Sequence, residues 1–378
     1  MKNFSIIAAI LLPVAAFAQK PKPMPKTYDL VVGTYTSGTS KGISVFRFYA
    51  ESGRVAYLSQ IDGVSNPSYL TVSADNKFVY ATNENDEGEI SAFNFDPKMG
   101  TLKFINKQST LGGSPCYVSV DKANKSLFVA NYSGGNIAVL PLNEDGSIAP
   151  AAQTIRDDGP LGPNKERQEK PHVHTAILSP DEKYVLYTDL GTDKINITRY
   201  KGGKDSPLRG VKPPFKAVAP GGGPRHLEFS ADKKHLYVIQ EMGSAVTMYD
   251  YNDGKLTEKQ TVTLLKDGFT GATGAADIHI SPNGLFLYAS NRGDANDISV
   301  FSVNQETGEL TFVDRRSTNG KGPRNFVIDP TGTFLLVANQ NSDVIYVYRL
   351  DKTTGKMLGI VGKVDIGNPV CLKFASAQ

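Results

Sequence analysis

Pro67-Ser68-Tyr69-Leu70-Thr71-Val72-Ser73-Ala74-Asp75, with Phe78-Val79-Tyr80-Ala81-Thr82-Asn83-Glu84 close behind, is the stretch that decides the fold. Two short apolar runs flank a Ser/Asp turn, and the second run closes on a charged residue. The same arrangement returns at residues 115–132, 173–190, 224–241, 275–292 and 323–340. Its turn residues are Ser73, Asp121, Ser179, Ser230, Ser281 and Asp329, spaced 48, 58, 51, 51 and 48 apart. From each turn residue to the residue closing the second run the distance is 11, giving Glu84, Tyr132, Leu190, Glu241, Arg292 and Gln340. One offset kept across two runs implies one hairpin used again and again.

Each pair is followed by an alternating segment, such as Ile90-Ser91-Ala92-Phe93-Asn94-Phe95 or Ile298-Ser299-Val300-Phe301-Ser302-Val303. A glycine turn and a fourth short run come next, as in Gly100-Thr101-Leu102-Lys103-Phe104. Alternation with period two marks half-buried strands, and four strands per unit make one propeller blade. The two ends complete the count. Asn368-Pro369-Val370-Cys371-Leu372-Lys373-Phe374 is a first strand lacking a second, whereas 28–34 and 42–48 are later strands lacking a first. Joined, they form a seventh blade and remove the open sheet edges. The sequence therefore predicts an all-β, seven-bladed β-propeller with four antiparallel strands per blade. Its N- and C-terminal strands share one blade, and residues 28–378 form a single domain.

Composition agrees. Among 378 residues there are 36 Gly, 22 Pro, 17 Tyr and 18 Phe, a mixture of turn formers and strand-forming aromatics. The net charge of +3 comes from acidic and basic residues mixed along the chain, so no basic stripe suits nucleic acid. The small positive excess points toward anionic small molecules.

The N-terminus reads as a secretory signal: Lys2, an apolar stretch from Phe4 to Val14, and the small-x-small site Ala16-Phe17-Ala18. Residues 1–18 are expected to be cleaved, and Pro-rich residues 19–27 to form an extended linker. The stretch is too short for a membrane span. The mature protein is thus expected in the periplasm or secreted, without a membrane partner. Cys116 and Cys371 fall on non-adjacent blades and are expected to be free, buried thiols.

Residues 150–171 break the period. They read as a polar surface loop or as a flap over the channel mouth. Two sets of equivalent positions converge on the central channel. One holds Ser68, Cys116, His174, Arg225, Ala276, Arg324 and Val370; the other holds the six closing residues. A shared fold does not require such divergent chemistry, so the divergence suggests a site. Glu241 is a general-base candidate that Arg225 and Arg292 would keep ionised. His174 titrates near neutrality and suits proton transfer. Arg225, Arg292 and Arg324 suit a carboxylate, a phosphate or a developing oxyanion. His172 pairs with His174 across one strand position. Glu84, Tyr132, His172, Arg324 and Gln340 are the candidates for substrate contacts. His226 and His279 read as core histidines, and His235 as a solvated turn residue. No metal-ligand signature accompanies the histidines, and no nucleophile elbow or phosphate loop is present.

Asn66-Pro67-Ser68-Tyr69-Leu70, Val129-Ala130-Asn131-Tyr132-Ser133-Gly134-Gly135, Pro171-His172-Val173-His174, Gly223-Pro224-Arg225-His226-Leu227, Ser290-Asn291-Arg292-Gly293 and Val337-Ala338-Asn339-Gln340 stand in the order of the propeller-type lactonases. The chain resembles that family from about residue 28 to its end. The family contains bacterial propeller 6-phosphogluconolactonases and fungal carboxy-muconate lactonising enzymes. The resemblance implies a lactone-processing channel with His174, Arg225, Glu241 and Arg292 as catalytic residues. It departs at Pro323-Arg324-Asn325, where the family often carries Pro-Arg-His.

The reading that results is a hydrolase opening a sugar-type lactone, with no cofactor, a small anionic or sugar-lactone substrate and a monomeric state. Two others stay open: a muconate-type lactonising cycloisomerase, and a non-catalytic propeller binding a ligand or a protein.

Overall fold

A computed structural model describes residues 27–203 and 205–376. The expected signal and most of the expected linker lie outside the described residues. The first strand, Thr27–Thr34, begins one residue earlier than the sequence suggested.

Seven four-stranded antiparallel sheets make up the fold. In blade 1 the C-terminal strand Pro369–Ser376 pairs with Thr27–Thr34, and Gly42–Tyr49 and Arg54–Asp62 follow outward. Blades 2 to 7 span residues 70–109, 115–156, 173–217, 224–263, 275–317 and 323–365. One 3₁₀ turn, Gln340–Ser342, is the sole helical element among the described residues.

The repeat has a physical cause at the turn. Ser73, Ser179, Ser230 and Ser281 each accept, through their hydroxyl, the backbone N–H five residues on. Asp121 and Asp329 do the same through a carboxylate oxygen. In all six turns the residue three positions on has a left-handed backbone: Asn76, Asn124, Glu182, Lys233, Gly284 and Gly332. A small acceptor at one position and a tolerant backbone at the other are what the hairpin demands.

The core lies between the blades. Second strands such as Tyr184–Asp189, His235–Gln240 and Phe286–Asn291 are buried throughout, because both faces meet a neighbouring blade. Apolar clusters fill the seams. Leu336, Val347, Phe334 and Leu372 close blade 7 onto blade 1. Fourth strands alternate between half-buried and exposed, as at Thr101–Ser109.

Residues 150–171 require a correction. Gln153–Arg156 is the fourth strand of blade 3, so the excursion proper runs from 157 to 171. His235 also differs from expectation. It starts a strand, is buried, and its Nδ1 lies 3.0 Å from Asp250 Oδ1. Cys116 and Cys371 are free and buried.

Candidate active site

A backbone bond repeated in every blade builds the channel mouth. The closing residue of each second strand donates its N–H to a carbonyl two positions before the channel-facing residue of the first strand. The pairs are Tyr35–Asn368, Glu84–Asn66, Tyr132–Ser114, Leu190–His172, Glu241–Gly223, Arg292–Gly274 and Gln340–Gly322. This couples the two sets of positions that the sequence singled out. Tyr35 is the seventh closing residue. It escaped sequence reading because its first strand lies at the other end of the chain.

The first strands are bulged where they meet the channel. Register slips by one residue in each: Cys116, His174 and Arg324 stand unpaired, whereas Arg225-His226 and Ala276-Asp277 each face a single residue of the second strand. A bulge re-aims a side chain, and it explains why these residues depart from strict alternation.

The channel opens into a cavity of about 510 Å³ lined by Glu84, Cys116, Tyr132, Arg167, His174, Glu241, Thr273, Gly274, Arg292, Gly293, Gly322, Arg324, Gln340 and Asn341. Of the residues expected from sequence, His174, Glu241, Arg292, Arg324, Glu84, Tyr132 and Gln340 are on this wall. Two are not. Arg225 is fully buried against Glu241, at the bulge that Arg225 and His226 form in the first strand of blade 5. His172 stacks on Tyr132 with ring centroids 4.3 Å apart, and its nitrogens lie 3.2 Å from Tyr132 O and 3.0 Å from Glu169 Oε1. It braces the wall rather than forming it.

Glu241 is the centre of the charge pattern. Its Oε1 accepts from Arg167 Nη2 at 2.7 Å. Its Oε2 lies 3.1 Å from Arg292 Nη2 and 2.9 Å from Arg225 Nε. Arg225 Nε is not aimed for a hydrogen bond, but its Nη1 donates to Ala276 O and sits 3.3 Å from His226 Nε2. Arg292 Nε donates to Gly274 O at 2.9 Å. Burial alone would raise the Glu241 pKa. Arg292, Arg225 and Arg167 overcome it and hold the carboxyl at about 2. Across the cavity, Glu84 accepts from Tyr35 at 2.9 Å and lies 3.9 Å from Arg324. The lining carries three guanidinium groups against two carboxylates, and the buried Arg225 behind it brings the excess to two positive charges.

His174 is buried, and its Nδ1 has no partner within the protein. Burial, then Arg225, His226 and Arg324, push its pKa well below the ordinary histidine value. It is therefore uncharged at neutral pH. Burial pushes the Cys116 thiol far up, so it stays protonated and is no nucleophile.

Below the cavity Asp277 gathers His226 at 2.7 Å, His279 at 3.1 Å and Asn325. This matches the expectation of satisfied core histidines. It also accounts for Asn325, which donates to Asp277 and accepts from Leu372 N at 2.7 Å. Among the described residues no three His, Cys, Asp or Glu side chains are grouped to hold a metal ion.

Comparison with known proteins places the architecture. A 6-phosphogluconolactonase of Bacillus subtilis is 38% identical over 346 residues, covering 91% of this chain and 97% of its own. A second 6-phosphogluconolactonase, from Formosa agariphila, is 36% identical over 338 residues, covering 87% and 94%. The solved structure of a periplasmic gluconolactonase of Pseudomonas aeruginosa is 39% identical with a TM-score of 0.88, covering 93% of this chain and 100% of its own. The family described as lactonase, 7-bladed beta-propeller, matches residues 29–374, and the chain belongs to that family.

Proposed function

We propose that the protein is a hydrolase that opens a sugar-type lactone in its central channel. The observation that carries this is the cavity itself: an ionised carboxylate, an uncharged imidazole and an excess of guanidinium groups on one wall. Relatives named 6-phosphogluconolactonase and gluconolactonase support the substrate class.

The roles follow from the geometry. Water attacks the lactone carbonyl carbon, and its proton passes to Glu241. The carbonyl oxygen becomes an oxyanion, and Arg292 and Arg324 hold the negative charge that develops on it as the tetrahedral centre forms. The ring C–O bond then breaks, and the leaving oxygen takes back the proton. His174, carrying one donor and one acceptor when neutral, hydrogen-bonds that oxygen as it leaves. The product is a hydroxy acid that ionises, so turnover releases acid. Arg225 does not touch substrate in this scheme; it positions Glu241 from below. Tyr132, Gln340 and Glu84 contact sugar hydroxyls, and His172 keeps Tyr132 in place. This chemistry uses only protein groups.

Residues 1–18 serve as an export signal, 19–27 as a linker and the rest as one propeller acting as a monomer in the periplasm or outside the cell. N-terminal sequencing of exported protein tests this, with Gln19 as the expected first residue.

The activity is tested by pH-stat with protein beginning at Gln19. Acid release from 6-phosphogluconolactone and from gluconolactone is compared with the uncatalysed rate. Release well above the blank from at least one lactone supports the proposal. Rates matching the blank on both overturn it.

A further inference from the structure

The excursion 157–171 brings a third guanidinium to Glu241, and its construction separates a rigid backbone from a free side chain. Asp157 roots it: its carboxylate meets Lys194 Nζ at 3.1 Å, Thr192 Oγ1 at 3.0 Å and Asn196 Nδ2 at 3.0 Å, all buried. Gly162 N donates to Gly191 O at 2.9 Å. The turn bearing Arg167 is closed on itself. Gln168 N donates to Asn164 O, Asn164 N to Gln168 Oε1, and Asn164 Oδ1 accepts Arg167 N at 3.1 Å. Gln168 is buried and donates to Leu190 O at 2.8 Å. The Arg167 side chain, by contrast, is 45% exposed, against 1% for Arg225 and 20% for Arg292.

We propose that Arg167 is a substrate-responsive latch on Glu241, which covers Oε1 and turns from it to the phosphate of an incoming phosphorylated sugar lactone. This rests on the lactonase reading and adds to it the substrate's anionic group and the means by which its arrival arms the site.

Four observations converge on it. Oε1 is held by Arg167, and Oε2 by the other two arginines, so one departure frees one oxygen and leaves the carboxylate anchored. Of the three, Arg167 leaves at least cost, since solvent can replace its contacts. Arg225 is walled in by Ala276 O and His226. A guanidinium fork matches phosphate in geometry, and a phosphate monoester carries a charge near −1.5 to −2 at pH 7, which the positive excess of the lining and the buried Arg225 together would balance. Removal of Arg167 from Oε1 also raises the basicity of the carboxylate at the moment substrate is present.

The test compares the parent with Arg167→Met and Arg167→Lys. Calorimetry measures binding of 6-phosphogluconate and gluconate, the hydroxy acids such lactones would yield. pH-stat assays give kcat/KM on both lactones. The parent is expected to prefer the phosphorylated member of each pair. Arg167→Met is expected to lower that preference at least about tenfold, the scale of one charge-assisted hydrogen bond, and Arg167→Lys to restore part of it. A merely structural Arg167 would weaken both members of a pair alike. Preference left intact in Arg167→Met, or an equal loss for both members, overturns the latch. If the parent turns over neither lactone yet its binding preference depends on Arg167, the reaction fails and phosphate recognition by Arg167 stands. If lactones are turned over with a preference indifferent to Arg167, the reaction stands and the latch fails.

Discussion

At the scale of single residues, the site is organised by an imbalance of charge around one carboxylate. Glu241 faces Arg167, Arg225 and Arg292 directly and feels Arg324 across the cavity. Its folded pKa of about 2 lies below its ordinary 4.5. The stabilisation linked to it is therefore present above about pH 4.5 and lost as pH falls toward 2. Glu241→Gln is expected to flatten stability against pH in that window, measured by thermal melts between pH 2 and 6. A variant retaining the parent's acid slope would place that slope elsewhere. The convergence of His174, Arg225, Glu241 and Arg292 on one channel was legible in the sequence because the repeat fixes their register, and divergence at equivalent positions then stands out. Arg167 was hidden because the excursion has no counterpart in other blades. His172 misled because the bulge at His174 undoes the alternation that would have put both imidazoles on one face.

At the scale of the strand and turn, one hairpin is specified six times with local variations that carry their own consequences. The residue closing the second strand's ladder is Asn83, Asn131, Asn291 or Asn339 in four blades, but Asp189 in blade 4. Asp189 Oδ1 accepts the N–H groups of His172, Gly191 and Thr192, while Oδ2 is buried without a partner. Burial raises its pKa to about 7 despite those donors. The raised pKa favours the protonated native state below the unfolded pKa, and that advantage is lost as pH rises through about 7. Asp189→Asn keeps the acceptor without the charge. It should match the parent below pH 3.8, the ordinary value, and exceed it in stability at pH 8, read by urea denaturation. Lower stability at pH 8 would show that the carboxylate's ionised form is the favoured one. The turns offer a second check. Lys233 has φ of 67°, where a side chain is strained, and it occupies the place filled by glycine in blades 6 and 7. Lys233→Gly is expected to raise stability by about 0.5–1 kcal/mol, the left-handed penalty less the entropy glycine loses. A destabilised variant would mean that the lysine makes up for its strain.

At the scale of the whole molecule, the ring is closed by hydrogen bonds between the two ends of the chain. Leu372 and Phe374 on the last strand pack against Phe48 and the blade 7 seam. Leu372→Ala is expected to cost about 2–5 kcal/mol, as for other buried leucines, whereas Leu358→Ala on the exposed outer strand should stay within about 0.5 kcal/mol. Equal effects in urea melts would mean the closing blade is not an integral part of the cooperative unit. Seven blades, their order and the shared blade were all legible, because a repeat states its geometry several times over. The boundary at 150 was not. A fourth strand of only four residues, Gln153–Arg156, carries too little alternation to be told from the loop that follows it.

If the channel wall performs lactone hydrolysis, paired variants on that wall will lose it together. Initial rates of acid release on the better lactone should be measured for the parent, Glu241→Gln, Arg292→Met and the outer-strand control Leu358→Ala, with the uncatalysed rate subtracted and folding checked by melts. A fall of about 10²–10⁴-fold is expected for Glu241→Gln and of about 10²–10³-fold for Arg292→Met, with the control near the parent. Folded Glu241→Gln and Arg292→Met proteins that turn over lactone at the parent's rate would contradict hydrolysis by this wall.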